Sequence, residues 1–225
     1  MTDVLPIPTR YKGYHFRSRL EARWAVFFNT LGIKWEYELD GYVVGPPHDR
    51  QLYLPDFWLP GENCWAEVKG PLDSADIAKM YYGSIPEYGL PGNKHGIRLL
   101  LLGSIPNPGV SDHVWHHTIA YCTYTHDSVP ALSPGLYSRS VAFGQAEEAE
   151  LDEFSGPDRF FASAQLWGIR APSVSTRFTS VWNFNAFVSE SAGSWGAYKP
   201  CPPRVRQAYL AARSARFEHG ESGAS

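Results

Sequence analysis

The chain has 225 residues, of which 44% are hydrophobic and 15% are aromatic, and its formal net charge is −3. This length and apolar content suffice for one large domain with a buried core, and they exclude wholesale disorder. The negative charge argues against a protein that coats DNA by neutralising many phosphates, although it does not exclude contact with DNA through a locally positive surface.

Cysteine usage and hydropathy indicate a cytoplasmic protein. Cys64, Cys122 and Cys201 are scattered without a CxxC pair, which is typical of reduced thiols. The N-terminus lacks the basic region and apolar stretch of a signal peptide, and no apolar run has the length of a membrane span. We therefore expect no membrane contact.

The first segments predict an arm followed by a helix. Residues 1–15 are expected to form an extended arm, because Pro6 and Pro8 oppose a helix. A helix follows from about residue 16 and ends at Gly32, the residue type that most often closes helices. Its apolar stripe at helical spacing consists of Leu20, Trp24, Phe27 and Leu31.

The middle of the chain predicts strands, because its segments are aromatic-rich or alternate in polarity and are bounded by Gly and Pro. In the first strand, Trp35, Tyr37 and Leu39 are expected to face inward. A helix with an acidic start follows, and then an apolar strand of the kind that is buried on both faces. The predicted elements are strands at 34–39, 51–59 and 64–69, a loop at 41–50, a helix at 73–82 and a strand at 97–103.

The second half of the chain carries weaker patterns. Residues 113–121 predict a further strand, whose histidines lack the intervening Glu of a zinc-protease helix and have no cysteine pair beside them. The stretch at 144–156 is acidic, as solvated helices and loops are, and the aromatic residues at 159–194 favour packing over base stacking. Residues 205–217 predict a basic helix of a kind suited to contact a nucleic-acid backbone.

Charged side chains sit at adjacent positions in the predicted strands. Since side chains alternate between the two faces, Glu67 and Lys69 share one face with Trp65, and a hairpin would bring Asp56 alongside. Two carboxylates beside an ammonium group suit Mg²⁺, although a Glu-x-Lys pair is also typical of a solvated edge strand. The opposite face of the same strand would carry Cys64, Ala66 and Val68.

Glu21 and the basic residues around it have two interpretations each. Ser18 and Glu21 form a capping box, in which the carboxylate is expected to reach back to the Ser18 N–H. Arg17 has the spacing of a helical ion-pair partner for Glu21. A basic cluster beside carboxylates could also receive phosphate oxygens, and the candidate residues for nucleic-acid binding are Lys12, Arg17, Arg19, Arg23 and Lys79.

The string Pro55-Asp56, a short turn, and Glu67-Val68-Lys69, preceded by Glu21 on a helix, resembles the PD-(D/E)XK nuclease superfamily. The resemblance covers roughly residues 11–103. It implies an α/β protein with a restriction-endonuclease-like core of order αβββαβ, in which a mixed central sheet is flanked by helices. The domains expected from it are an N-terminal arm at 1–15, a nuclease core at 16–125 and a C-terminal extension at 126–225.

The same resemblance implies a Mg²⁺-dependent DNA endonuclease, in which Mn²⁺ can substitute. Asp56, Glu67, the Val68 carbonyl and Glu21 would be the metal ligands, and Lys69 would orient or help deprotonate the attacking water. An alternative is a catalytically silent nucleic-acid-binding subunit, or one that depends on a partner in a recombination or transposition complex. DNA is the expected partner, together with a second copy of the chain or a recombination protein.

Overall fold

The computed structural model of the chain describes residues 6–61, 63–69, 74–92, 98–110, 116–126, 129–143, 161–168, 201 and 203–217. The predicted acidic stretch at 144–156, most of the aromatic stretch at 159–194 and the C-terminal tail lie outside these residues. In the described part, helices pack on both faces of a mixed seven-stranded sheet, which makes the protein an α/β structure as predicted.

Three helices and eleven strands are described, and the strands belong to three sheets. The large sheet has the order β11-β10-β9-β8-β7-β6-β3, and β1-β2 and β4-β5 are separate two-stranded sheets. The helices are α1 (Arg19–Leu31), α2 (Ser74–Ser84) and α3 (Pro203–Ser214), and the strands are β1 (Thr9–Tyr11), β2 (Tyr14–Phe16), β3 (Glu36–Tyr37), β4 (Tyr42–Val44), β5 (Gln51–Tyr53), β6 (Phe57–Leu59), β7 (Cys64–Val68), β8 (Arg98–Leu102), β9 (His116–His126), β10 (Val129–Phe143) and β11 (Phe161–Gly168).

Helix α1 begins and ends where the sequence predicts. Ser18 is its N-cap, and Gly32 closes it in the left-handed region at φ 79°, where a residue without a Cβ has no steric cost. Trp24, Phe27 and Leu31 of the predicted stripe are buried, and Leu20 packs partly buried at its edge. The periodicity of the apolar residues therefore predicts the buried face correctly.

The core strands β7 and β8 also follow the prediction. They pair in parallel with Trp65 beside Leu99, and each strand is buried on both faces. Alternation places Cys64, Ala66 and Val68 in the cluster under α1, whereas Trp65 belongs to the cluster under α2. This separation of faces puts the side chains of Glu67 and Lys69 on the α2 side of the sheet.

Three expectations for the first strands are wrong. The predicted loop at 41–50 contains β4, which pairs with β5. The predicted strand at 51–59 is two strands in two different sheets, because Pro55 has no N–H to donate to a ladder and the chain turns there. Leu39 is 51% exposed rather than inward, since Glu38 adopts a φ of 44° and ends β3.

The predicted extended arm is partly a hairpin. Strands β1 and β2 pair with Tyr11 opposite Tyr14. Lys12 and Gly13 form the turn at φ 48° and 84°, and positive φ at both central residues is the signature of the tight turn that suits twisted hairpins. The arm therefore contributes a folded element beside α1.

Helix α3 packs against α1 and thereby joins the core. Tyr209 stacks on Phe27 with ring centroids 4.6 Å apart. Arg204 donates to the Leu31 carbonyl at 2.5 Å, and Arg213 donates to the carbonyl of Ile105 at 3.0 Å. Two of its basic residues thus hold the fold together, and contact of this helix with a nucleic-acid backbone stays a prediction.

Residues from the predicted C-terminal extension share the sheet and the core of the first half. Strand β10 pairs with β9, and β11 pairs with β10. The predicted strand at 113–121 corresponds to β9, which begins at His116. Within the described ranges, no helix combines the length and the apolar character that crossing a bilayer requires.

Candidate active site

Two acidic side chains meet where β6 and β7 pair. Phe57 lies opposite Ala66 in this antiparallel pair, so Asp56, directly before β6, comes beside Glu67. Oδ2 of Asp56 accepts a hydrogen bond of 2.7 Å from the Val68 N–H. Asp56 and Glu67 are only 2% and 3% exposed, so the structure brings two carboxylates together in the interior.

The surroundings of Asp56 disfavour its charged form. Its pKa is raised well above the ordinary value of 3.8, first by burial and then by the nearby charges of Glu67 and Glu21. The Val68 N–H and the guanidinium of Arg17 offset only part of this effect. A position where two carboxylates repel each other in the interior is one where an added cation would be favourable.

Glu67 and Lys69 form an ion-paired cluster with a second acidic residue. The Tyr53 hydroxyl donates to Glu67 Oε2 at 3.2 Å, and Lys69 Nζ lies 3.2 Å from Glu67 Oε1 and 3.2 Å from Asp76 Oδ1. Burial raises the pKa of Glu67, and Lys69 and Tyr53 counteract only part of that rise. Burial lowers the pKa of Lys69, but Glu67 and Asp76 outweigh it, so the net pKa is raised and Lys69 is an ammonium ion.

Arg17 contacts the other carboxylate. Its Nη2 lies 2.6 Å from Asp56 Oδ1, and its Nε lies 2.5 Å from Glu38 Oε1. Glu38 is fixed in turn, because its N–H donates to the Asp56 carbonyl at 2.9 Å. The ion pairs described for the Arg17 side chain are thus with residues distant in sequence, and its hydrogen bond to Glu21 comes from the backbone N–H instead.

Glu21 performs the capping role that its spacing predicts, with one difference. Its N–H donates to Ser18 Oγ at 3.1 Å, and the Ser18 hydroxyl donates to Glu21 Oε1 at 2.6 Å. Oε2 accepts from the Tyr37 hydroxyl at 2.5 Å and from the Arg17 N–H at 3.1 Å. The carboxylate therefore reaches one residue further back than the Ser18 N–H that the capping box predicts.

The donor set suits a hard divalent cation. Mg²⁺ typically takes one or two carboxylates and completes its shell with waters and substrate phosphates. Asp56 and Glu67 supply such a pair, and over the described residues no group of three or more His, Cys, Asp or Glu side chains is arranged to hold a metal. The ligand roles expected of the Val68 carbonyl and of Glu21 stay predictions.

A cleft of about 360 Å³ opens over this cluster. Its walls come from the β4–β5 sheet and from α2, and Arg17, Glu67, Lys69, Asp76 and Lys79 are among the residues that line it. Three cationic side chains, Arg17, Lys69 and Lys79, therefore line the same cavity as the carboxylates of Glu67 and Asp76. Such a cavity can admit a phosphate group and hold it close to the acidic pair.

The other predicted basic residues lie elsewhere. Lys12 lines a separate hollow beside Trp35. Arg19 is exposed on the first turn of α1, and the pKa of Arg23 is lowered, first by burial and then by the charges of Arg19 and Arg213. Arg23 therefore lies in a locally positive field shared by α1 and α3, and its role in nucleic-acid binding stays a prediction.

The sequence does not predict three residues of the cluster. Asp76 has a signal, because it lies in the acidic first turn of a helix that directly follows the motif. Tyr53 and Glu38 have none, since a tyrosine in a strand and a glutamate in an alternating segment are usual occupants of such positions. Their role depends on how the chain turns before and after β6.

Endodeoxyribonuclease 1 of Enterobacteria phage T3 is 33% identical to this chain over 124 residues, which cover 45% of the chain and 80% of the phage protein. The chain belongs to the endodeoxyribonuclease 1 family. More than half of it lies outside the region shared with this family member. No protein-family model matches the sequence, and no solved structure matches the chain.

The endodeoxyribonuclease 1 family is named for the cutting of DNA within the strand, and that description belongs to the phage T3 protein. The geometry described above is independent of the name. It consists of a buried carboxylate pair, an ammonium group and a guanidinium group around one cleft.

Proposed function

We propose that the protein is a DNA endonuclease that hydrolyses phosphodiester bonds through a PD-(D/E)XK active site with Mg²⁺. The observation that carries this proposal is that Glu67 and Lys69 line one cleft, with Asp56 buried directly beside them. Membership in the endodeoxyribonuclease 1 family supports the same substrate and reaction. A mixed sheet flanked by helices is compatible with a restriction-endonuclease-like core, which we infer for this chain.

The residues divide the work between metal binding and charge stabilisation. Asp56 and Glu67 would hold the cation, and the Val68 carbonyl and Glu21 would be further ligands. A bound Mg²⁺ supplies Lewis acidity and lowers the pKa of its water toward neutrality. Lys69 orients the attacking water and stabilises negative charge at the phosphate, a role that suits a compact ammonium group.

A second assignment is a nuclease-fold subunit that binds nucleic acid without cutting, or that cuts only with a partner. The complete set of Asp56, Glu67 and Lys69 favours the enzyme, because an inert binder has no use for all three. Calorimetric titration of Mg²⁺ or Mn²⁺ separates the two, since only the enzyme requires a divalent ion. We further propose a cytoplasmic location, because the cysteines are scattered through the sequence without a CxxC pair.

The direct test is a cleavage assay on linear duplex, single-stranded, flap and four-way-junction DNA, with Mg²⁺ and with EDTA. We expect internal cuts in at least one of these substrates with Mg²⁺ and none with EDTA. Cleavage in EDTA would contradict the metal mechanism. Absence of both cleavage and metal binding would contradict the proposed function as a whole.

Glu21 offers a test of the fourth ligand. As a metal ligand it contributes one negative charge, and Glu21→Gln removes that charge while an amide can still hydrogen-bond to Ser18 and Tyr37. We expect cleavage to fall by about 10²-fold, with a melting temperature close to that of the wild type. Unchanged cleavage would reduce the role of Glu21 to capping α1.

The stabilisation of the folded protein by Mg²⁺ is expected to depend on pH. The pKa values of Asp56 and Glu67 are raised in the folded protein, so the folded state holds these protons at a pH where the unfolded chain has lost them. The stabilisation that these protons give to the folded state is therefore fully present below the ordinary carboxyl pKa. It is lost as the pH rises through the raised pKa values of the two carboxyl groups. Because protons compete with the cation, we expect the increase in melting temperature caused by Mg²⁺ to grow from pH 5 to pH 8. An increase that is equal at both pH values would contradict binding at this pair.

A further inference from the structure

Both oxygens of the Asp56 carboxylate have partners inside the protein. Oδ2 accepts from the Val68 N–H at 2.7 Å, and Oδ1 lies 2.6 Å from Arg17 Nη2. A divalent cation at Asp56 and Glu67 would come within a few ångströms of this guanidinium, and two positive charges at that distance repel strongly when partly buried. The contact between Arg17 and Asp56 therefore competes with metal binding.

The Arg17 side chain is free to change its position, whereas the Asp56 side chain is held in the interior. The Arg17 side chain is 54% exposed and the Asp56 side chain is 3% exposed. Glu38, 24% exposed, holds the Nε of Arg17, and its own N–H is bonded to the Asp56 carbonyl. When the contact at Oδ1 is broken, the pair with Glu38 can keep the guanidinium at the rim of the cleft.

We propose that Arg17 occupies the Asp56 carboxylate in place of a divalent cation, and that metal and DNA together move its guanidinium onto a phosphate. This inference rests on the proposed function. The exchange keeps the charges paired: the metal takes over the neutralisation of Asp56, and the released guanidinium meets the phosphate that enters with it. Arg17 is thus a positioning residue before metal binds and a phosphate ligand afterwards.

The chemistry of arginine suits this exchange. A guanidinium presents several N–H donors in a planar fork, which matches a carboxylate and a phosphate equally well. Arg17 lines the same cleft as Lys69 and Lys79, so a phosphate that receives the released guanidinium lies among cations. Lysine at this position could contact Asp56 or Glu38, but its single ammonium group is poorly shaped to hold both.

The test measures metal affinity and DNA affinity separately. Mn²⁺ is titrated calorimetrically into the metal-free protein at pH 8, with the wild type compared with Arg17→Gln, Arg17→Lys and the control Arg10→Gln. Arg10 is exposed on β1, so its substitution removes the same charge away from the cleft. KM and kcat for DNA cleavage are then measured with saturating Mg²⁺.

We expect Arg17→Gln to bind Mn²⁺ about ten-fold more tightly than the wild type, while its KM for DNA rises about ten-fold. Arg17→Lys is expected to give an intermediate Mn²⁺ affinity, and Arg10→Gln should match the wild type. Shifts of opposite sign are diagnostic, because a residue that merely supports the fold of the site would weaken both interactions when it is removed.

An unchanged or weaker Mn²⁺ affinity in Arg17→Gln overturns the inference. If that variant fails to fold, Arg17→Lys decides the question, since it retains the charge and has to bind Mn²⁺ more tightly than the wild type. If the wild-type protein binds Mn²⁺ and cuts DNA but the Arg17 variants show no such shift, only this inference is contradicted. Wild-type protein that does neither contradicts the proposed function itself.

Discussion

Asp56→Asn is expected to lower the rate of DNA cleavage by about a thousand-fold or more. A catalytic metal contributes several kcal/mol of charge stabilisation, and about 1.4 kcal/mol corresponds to a factor of ten in rate. The substitution removes one of the two buried carboxylates beside the cleft and places an amide N–H₂ where the cation would lie. The measurement is single-turnover cleavage with saturating Mg²⁺.

The fold should tolerate this substitution. The amide oxygen of asparagine can still accept the hydrogen bond from the Val68 N–H. Burial and the charge of Glu67 raise the pKa of Asp56, so removing its charge relieves both the burial of a carboxylate and its repulsion from Glu67. We therefore expect the melting temperature of the metal-free variant to stay within a few degrees of the wild type, even though the Arg17 pair is lost.

Glu36→Gln is the matched control, because it removes one carboxylate from the exposed position of β3 outside the cleft lining. It should cut DNA at the wild-type rate. Wild-type cleavage by Asp56→Asn would refute the assignment of Asp56 as a metal ligand. A large loss in Glu36→Gln would show that net charge, rather than the site, controls the rate.

The parts of the fold that the sequence predicts are those fixed by local rules. The cap at Ser18, the stop at Gly32 and the alternation along β7 each depend on residues within one turn or one strand. These rules also set which way the Glu67 and Lys69 side chains point. The acidic and basic residues of the motif can therefore be placed together once two strands are recognised as neighbours.

The parts that the sequence does not predict depend on contacts between distant residues. Arg17 and Asp56 are 39 residues apart, and their contact requires both the docking of α1 and the turn at Pro55. The stacking of Tyr209 on Phe27 connects the two ends of the chain. No local sequence pattern indicates such pairings, because each of these residue types is common in the helix, strand or loop where it lies.

Lys69→Met is the second substitution with a large expected effect. Methionine has nearly the length and volume of lysine without its charge, so the change isolates the ammonium group. We expect cleavage to fall by about 10²–10³-fold, the range found when one stabilising donor is removed from an active site. Lys34→Met, at an exposed position outside the cleft lining, is the control and should cut normally.

The metal affinity of Lys69→Met separates the role of Lys69 from that of the carboxylates. The ammonium group is paired with Glu67 and Asp76, so its removal leaves both carboxylates with less positive charge nearby. Mn²⁺ should then bind as tightly as in the wild type or more tightly, while cleavage is slow.

Because Glu67 and Asp76 raise the pKa of Lys69, the wild-type group enters the reaction protonated, as an electrostatic and orienting group. Lys69→Arg preserves that charge and should recover part of the lost rate, whereas a general base would not be replaced by arginine. Cleavage by Lys69→Met at the wild-type rate would remove Lys69 from the mechanism.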